Sequence, residues 1–228
     1  MHVTTKYSCG VNTVPEVVTY AERLGFDTIV ILDRIDSLKT LQSIKDDVGS
    51  LKTNVNVLVG VEIMAKNAQE LHKMINRFRD NVDILAVHGG DIEINRSAVE
   101  NPRVDLLTHP EQRRKDSGMD HVMMKLAAEN NVAIELNFHD YLHSYRKIRS
   151  YVLNHMRNNV MLAEKYDTHV VVASGAESVW DMRAGRELAS LAYICGLDRE
   201  KAVKTVSDIP SHIIKRVAEI KSGNLKSG

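Results

Sequence analysis

The sequence predicts an irregular TIM-like (β/α) barrel, and three observations carry the prediction. Short β-branched runs alternate with longer stretches of helical spacing. The runs are apolar throughout rather than at every second residue, the pattern of parallel strands covered on both faces. Seven runs recur at roughly 25–30 residues, about the length of one strand–helix unit. A doubly wound open sheet is the alternative. No G-x-G-x-x-G follows any run, which weighs against a dinucleotide-binding sheet of that kind.

The elements follow in order. A weak strand opens the chain at "HVTT" (2–5), and Gly25, after "AERL", stops the first helix. "TIVIL" (28–32), "VNVLVGVEI" (55–63), "DILAVHG" (83–89) and "VDLLTH" (104–109) are the next strands. A helix over 119–131 places Met119, Val122, Met123, Leu126 and Ala127 on one stripe, with Ser117 and Asp120 as an S-x-x-D start signal. "VAIELNF" (132–138) is the sixth strand and "HVVVAS" (169–174) the seventh. Between them a helix over 146–166 carries a stripe of Ile148, Val152, Met156, Val160 and Ala163. One barrel domain over 1–221 and a disordered tail over 222–228 are expected.

Bulk composition excludes several functions. The 228 residues are 43% hydrophobic, enough for one large core. Lysine plus arginine equals aspartate plus glutamate at 30 each, so the chain is no generic polyanion binder, and any nucleic-acid contact must come from local patches. No run reaches the roughly 18 apolar residues of a membrane span, and the N-terminus lacks the features of a signal peptide. Cys9 and Cys195 are read as reduced thiols of a cytoplasmic protein.

Barrel proteins do their chemistry at the C-terminal ends of their strands. Glu62, His88 and His109 lie at such ends, His139 follows the sixth strand, and His2 opens the first. Imidazoles with a carboxylate can hold zinc, manganese or iron. No tight H-x-H or D-x-H pair is singled out in support of a metal, and hydrogen bonding at a barrel rim explains the same residues. Ser174 and Ser178 lack the G-x-S-x-G turn of a serine nucleophile, although the glycine turn of "VASGAES", leading to free helix amides, also suits a phosphate.

The basic residues are more informative. Arg113, Arg114 and Lys115 stand together in the loop after the fifth strand, just before a helix N-terminus. Amide donors and the helix dipole favour an anion there, and guanidinium groups bind phosphate in bidentate fashion. From Tyr141 to Ala163 there is no acidic residue, and Arg146, Lys147 and Arg149 open that helix against its dipole. Arg183 and Arg186 form a thinner set after the seventh strand. Solvated surface is the competing explanation. Aromatic content of 5% argues against base stacking as the main mode.

Two blocks, "RRKDSGMDHVMMKLAAENNVAIEL" and "LAEKYDTHVVVASGAESVWDMRAGREL", resemble the archaeal RNase P protein component 3 family. The likeness extends through "AERLGFDTIVI", "NVLVGVEI" and "ASLAYICGLDREKAVKTVSDIPSHIIKR". It implies a barrel related to PHP-type metal-dependent hydrolases. It also implies a protein subunit that binds and stabilises the RNA removing the 5′ leader from precursor tRNA. The chain then has no catalytic residue or cofactor of its own, and Mg2+ serves the RNA. The implied partners are RNase P RNA, protein component 2 in a two-plus-two heterotetramer, the other protein subunits and, indirectly, precursor tRNA. Membranes are not among them. Carried onto matching positions, RNA contacts fall on Arg114, Lys115, His121, Arg183 and Arg186, while Arg113, Arg146 and Arg149 are added from charge and location. PHP hydrolases build their metal cluster from an early H-x-H and a late D-x-H. Here His2 is followed by Val3 and Thr4, and "ASGAES" leaves the last strand without histidine. Glu62, His88 and His109 are therefore read as vestiges. The alternative is a stand-alone metal-dependent phosphoesterase.

Overall fold

A computed structural model describes residues 2–222. Seven parallel strands neighbour one another in chain order: β1 (His2–Val3), β2 (Thr28–Asp33), β3 (Asn56–Ile63), β4 (Ile84–His88), β5 (Leu106–Thr108), β6 (Ala133–Asn137) and β7 (Val170–Ala173). The segment after β7 returns to β1. Val3 bridges Ala176, Thr4 N–H donates to the Ala176 carbonyl (3.0 Å), and Gly175 N–H donates to the His2 carbonyl (3.1 Å). This seam makes the sheet a nearly closed barrel and excludes the open-sheet alternative. Gly175 permits it: φ is +55°, and a Cβ there would sit 2.1 Å from the Asn137 side chain.

The surrounding helices are α1 (Val14–Arg23), α2 (Leu38–Gly49), α3 (Ala68–Phe78), α4 (Ile92–Val99), α5 (His121–Glu129), α6 (Phe138–Leu142), α7 (Arg146–Tyr166), α8 (Gly185–Cys195), α9 (Arg199–Lys204) and α10 (Asp208–Lys221). Their starts follow local chemistry. Thr13 and Glu16 form a reciprocal cap on α1, and Asn67 and Asp91 cap α3 and α4. Gly25, at φ +77°, follows α1 as expected.

Two expectations about faces are corrected. The residue capping α5 is Asp120, whose carboxylate accepts from Met123 N–H at 2.8 Å; the Ser117 hydroxyl instead donates to the Met119 carbonyl. α5 buries Met123, Met124 and Ala127, while Val122 is exposed. α7 buries Met156, Asn159, Val160 and Ala163, but Ile148 is exposed because the first turns overhang the barrel.

Apolar side chains fill two layers. Ile31, Val61, Leu71, Phe78, Leu107, Met123, Ile134 and Met156 belong to the larger cluster, which includes the residues between strands and helices. Leu32, Ile84, Ala86, Leu106, Ala133 and Val171 form the second, joined by Ile213 and Val217 of α10. Asp83 and Asp105 directly precede β4 and β5. Asp105 pairs with Arg216 of α10 (3.1 Å) and with Arg79, and Asp83 pairs with Lys221 (2.8 Å). α10 thus plugs the N-terminal mouth, and the C-terminal mouth remains for function. Cys9 and Cys195 are both free. Among the described residues no helix is long and apolar enough to cross a membrane. Apart from Ser222, the expected tail lies outside the described residues.

Candidate functional site

The C-terminal mouth holds a buried polar network. Glu62, on β3, is fully buried. Its Oε1 accepts from Thr108 Oγ1 (2.5 Å) and His88 Nδ1 (3.0 Å), and its Oε2 accepts from Arg34 Nε (2.5 Å). His109 stacks beside His88 with ring centroids 4.6 Å apart, donates from Nδ1 to Asp140 (2.5 Å), and turns Nε2 toward Glu62 (3.7 Å). Asn137 links this group to Glu135, which accepts from His2 at 2.9 Å.

Charge assignment follows from these contacts. Burial opposes ionisation of Glu62, but His88, His109 and Arg34 outweigh it and hold the carboxyl well below its usual range. Burial likewise opposes the His109 charge, yet Asp140, Glu62 and Glu135 lift its pKa to about 9. Glu111 follows His109 closely and is 5% exposed, with neither carboxylate oxygen hydrogen-bonded. Burial, then Asp140, push it up to about 8, so it is protonated at neutral pH.

Glu62, His88 and His109 do converge, with candidate ligand atoms within 4.8 Å of one another. Both carboxylate oxygens of Glu62 are already engaged, Oε2 by Arg34 and Oε1 by Thr108 and His88. His139 is not part of this group; it lies with His143 and Asp181. The triplet Asp167-Thr168-His169 offers D-x-H spacing, but it precedes β7 and so lies at the opposite end of the barrel. Of the serines of "ASGAES", Ser178 caps a 3-10 turn over Val179–Asp181, and Ser174 Oγ accepts from Arg183 N–H.

The basic loop runs from the end of β5 to Asp120. Asn95, fully buried on α4, donates to the carbonyls of Pro110 (2.9 Å) and Gly118 (2.8 Å) and accepts from Gly90 N–H (3.1 Å). Asn159 on α7 donates to Ser117 O (3.0 Å). These clamps hold Arg113 in a left-handed conformation, φ 59°, and present Arg113 and Lys115 to solvent. Arg114 is engaged at home, with two bonds to Asp116 (2.6 and 3.0 Å).

Across from this loop lies the start of α7. Arg113, Arg114 and Lys115 line a cleft of about 740 Å³ with Ser144, Ile148, Tyr151 and His155, and Glu111 and Asp140 also border it. Along α7 the cleft is lined by Ile148, Tyr151, Val152 and His155, so the Arg113–Lys115 cluster faces that helix, whereas Arg146, Lys147 and Arg149 do not line it. Arg146 is exposed beside it, but Arg149 turns inward: it donates to Ser144 O (2.7 Å) and Leu142 O (3.2 Å) and stacks against Tyr141 and Tyr145. The carbonyl end of α6 thus compensates Arg149 at a helix start. Arg183 donates to Trp180 O and Met182 O and lies 5.6 Å over Phe138. His121 and Arg186 are exposed and do not line the cleft. Sequence reasoning did not single out Arg34, Asn95, Glu111 and Asp140. Arg34, Glu111 and Asp140 each follow a strand end, but their burial, like that of Asn95, depends on contacts distant in the chain.

The fold is a nearly closed TIM-like barrel of seven parallel strands with a polar network at its C-terminal mouth. The solved structure of histidinol phosphate phosphatase from Lactococcus lactis, complexed with zinc, L-histidinol and phosphate, shares the fold at TM-score 0.56, with 10% identity over 95% of this chain and 92% of that one. A chain in the structure of an archaeal ribonuclease P with mature tRNA matches far better, at TM-score 0.83 and 29% identity over 100% of this chain and 95% of that one. Ribonuclease P protein component 3 of Methanosarcina barkeri is 40% identical over 91% of this chain and 84% of its own length. The Methanococcus maripaludis protein of that name is 45% identical over 60% of this chain and 59% of its own. The family profile of RNase P subunit p30 matches residues 1–222. This chain belongs to that family, the protein subunits of ribonuclease P.

Proposed function

We propose that this subunit binds the catalytic RNA of ribonuclease P through the cleft between the loop 109–120 and the start of α7, and that it has no active site of its own. The cleft carries the reading, because it sets exposed Arg113 and Lys115 opposite a helix whose first three turns lack acidic residues. Cations at such an edge suit RNA phosphates, which fit shape-based recognition of RNA. Arg34 supports the second half of the proposal: by neutralising Glu62 with a side chain, the barrel mouth satisfies itself without a metal. The magnesium chemistry of leader removal is assigned to the RNA. His121, Arg146, Arg183 and Arg186 are flanking phosphate contacts in this reading, and Arg149 and Arg114 shape the surface more than they bind. Protein component 2 is the proposed protein partner, in a cytoplasmic particle.

Reconstitution tests this. Leader removal from precursor tRNA is measured with the RNA and all protein subunits, then with this chain omitted or carrying Arg113→Ala with Lys115→Ala. Activity at limiting protein should fall in both cases, while circular dichroism of the double variant stays unchanged. Unchanged activity would remove the cleft assignment. Metal-dependent phosphate release by the isolated chain would overturn the absence of an active site.

A further inference from the structure

We infer that His139, His143 and Asp181 form a binding site for one divalent transition-metal ion of the zinc class, separate from the barrel mouth. Four observations support it. His139 and His143 stand one helical turn apart along α6, so their rings fall on one face; they stack with centroids 4.1 Å apart and planes inclined by 30°. Asp181, in the 3-10 turn after β7, places one carboxylate oxygen 3.2 Å from His143 Nε2 and the other 3.9 Å from His139 Nδ1. Tetrahedral coordination with bonds near 2.1 Å needs ligand atoms about 3.4 Å apart; taking one atom from each residue, the three lie within 4.8 Å of one another, close enough for small side-chain rotations to seat an ion. Finally, His139 Nδ1 is buried from water and has no hydrogen-bond partner. A buried ring nitrogen left without a partner in a folded protein calls for one, and a cation would supply it.

The donor set selects the ion. Two imidazoles and one carboxylate suit zinc, cobalt, nickel or ferrous iron, whereas magnesium and calcium prefer oxygen ligands throughout. Access is open, because the His143 side chain is 51% exposed. The contrast with the mouth is chemical: there Arg34 and Thr108 already hold the Glu62 oxygens, whereas here no arginine or lysine pairs with Asp181 among the described ion pairs. The ion would tie α6 to the turn that precedes Arg183, whose guanidinium lies over Phe138 beside His139. It would therefore fix one flank of the basic surface without touching the cleft itself.

The test uses the full chain, stripped with chelator and titrated with Co2+, read by visible absorption, and with Zn2+, read by calorimetry. One ion per chain is expected, with the d–d bands of four-coordinate cobalt. His143→Ala and Asp181→Asn should each weaken binding by roughly tenfold or more, since changing even a supporting residue costs that much. His143→Cys should retain binding and add a thiolate-to-cobalt charge-transfer band. That band marks the ligand itself and would not arise from a structural role for His143. No binding by the unmodified chain would overturn the inference. So would binding that survives both His143→Ala and Asp181→Asn, because the ion would then sit elsewhere.

Discussion

Glu111 shows what a single buried carboxyl does to the whole chain. Its folded pKa of about 8 exceeds its ordinary value of 4.5, so the native state keeps a proton that the unfolded chain releases. Its contribution to stability is therefore complete below pH 4.5 and erodes as pH rises to about 8. Glu111→Gln supplies the neutral form permanently. At pH 7 it should stabilise the protein by up to about 3 kcal/mol, with no gain near pH 4.5; urea unfolding across that pH range measures both. His109 behaves in the same direction at a higher window. Its stabilising charge is complete below pH 6.5 and lost as pH approaches 9, so the Gln variant should still weaken there. Arg34 acts by partnership. Arg34→Met strips the cation from fully buried Glu62 and should cost about 3–5 kcal/mol, seen as a lower denaturation midpoint.

At the scale of elements, the loop 109–120 is a rigid piece because Asn95 ties its two ends together. Gly118 belongs to the same closure: its φ is +71°, and a Cβ would lie 1.8 Å from Pro110 O. Asn95→Ala leaves two buried carbonyls unpaired and should cost about 1–3 kcal/mol. RNA affinity should fall as well, although Asn95 is buried and touches no solvent, and filter binding at fixed salt checks it. Arg113→Ala and Lys115→Ala should act differently. Each lowers the slope of log affinity against log salt by about 0.7–0.9 and leaves stability unchanged. The strands were readable in the sequence because uninterrupted apolar runs such as "TIVIL" have few other uses in a parallel barrel. Helix faces were readable only where the core lies beneath them. Val122 of α5 and Ile148 of α7 continue apolar stripes in sequence yet are exposed, Ile148 because the start of α7 forms a cleft wall. Arg149 looked like a free cation because nothing local shows that the carbonyls closing α6 turn back toward it.

For the molecule as a whole, polarity is divided between the two mouths. α10 seals one with Ile213 and Val217, and the other gathers Glu62, His109, Glu135 and Asp140. Ile213→Ala removes part of the plug and should lower stability by about 2–5 kcal/mol, measured as a fall in melting temperature, while RNA-dependent activity at low temperature persists. Equal numbers of acidic and basic residues, 30 each, mean that binding depends on where charges stand, and the sequence revealed the clusters but not that Arg113 to Lys115 open onto a cleft walled by α7. The joint between Val3 and Ala176 carries one more consequence. A ribosome making this chain delivers one stave of the cask some 170 residues before the stave that closes against it. Until then the opening edge waits unpaired, and the stopper, α10, emerges later still, so nascent chains stalled before residue 176 should be held by chaperones rather than by their own walls.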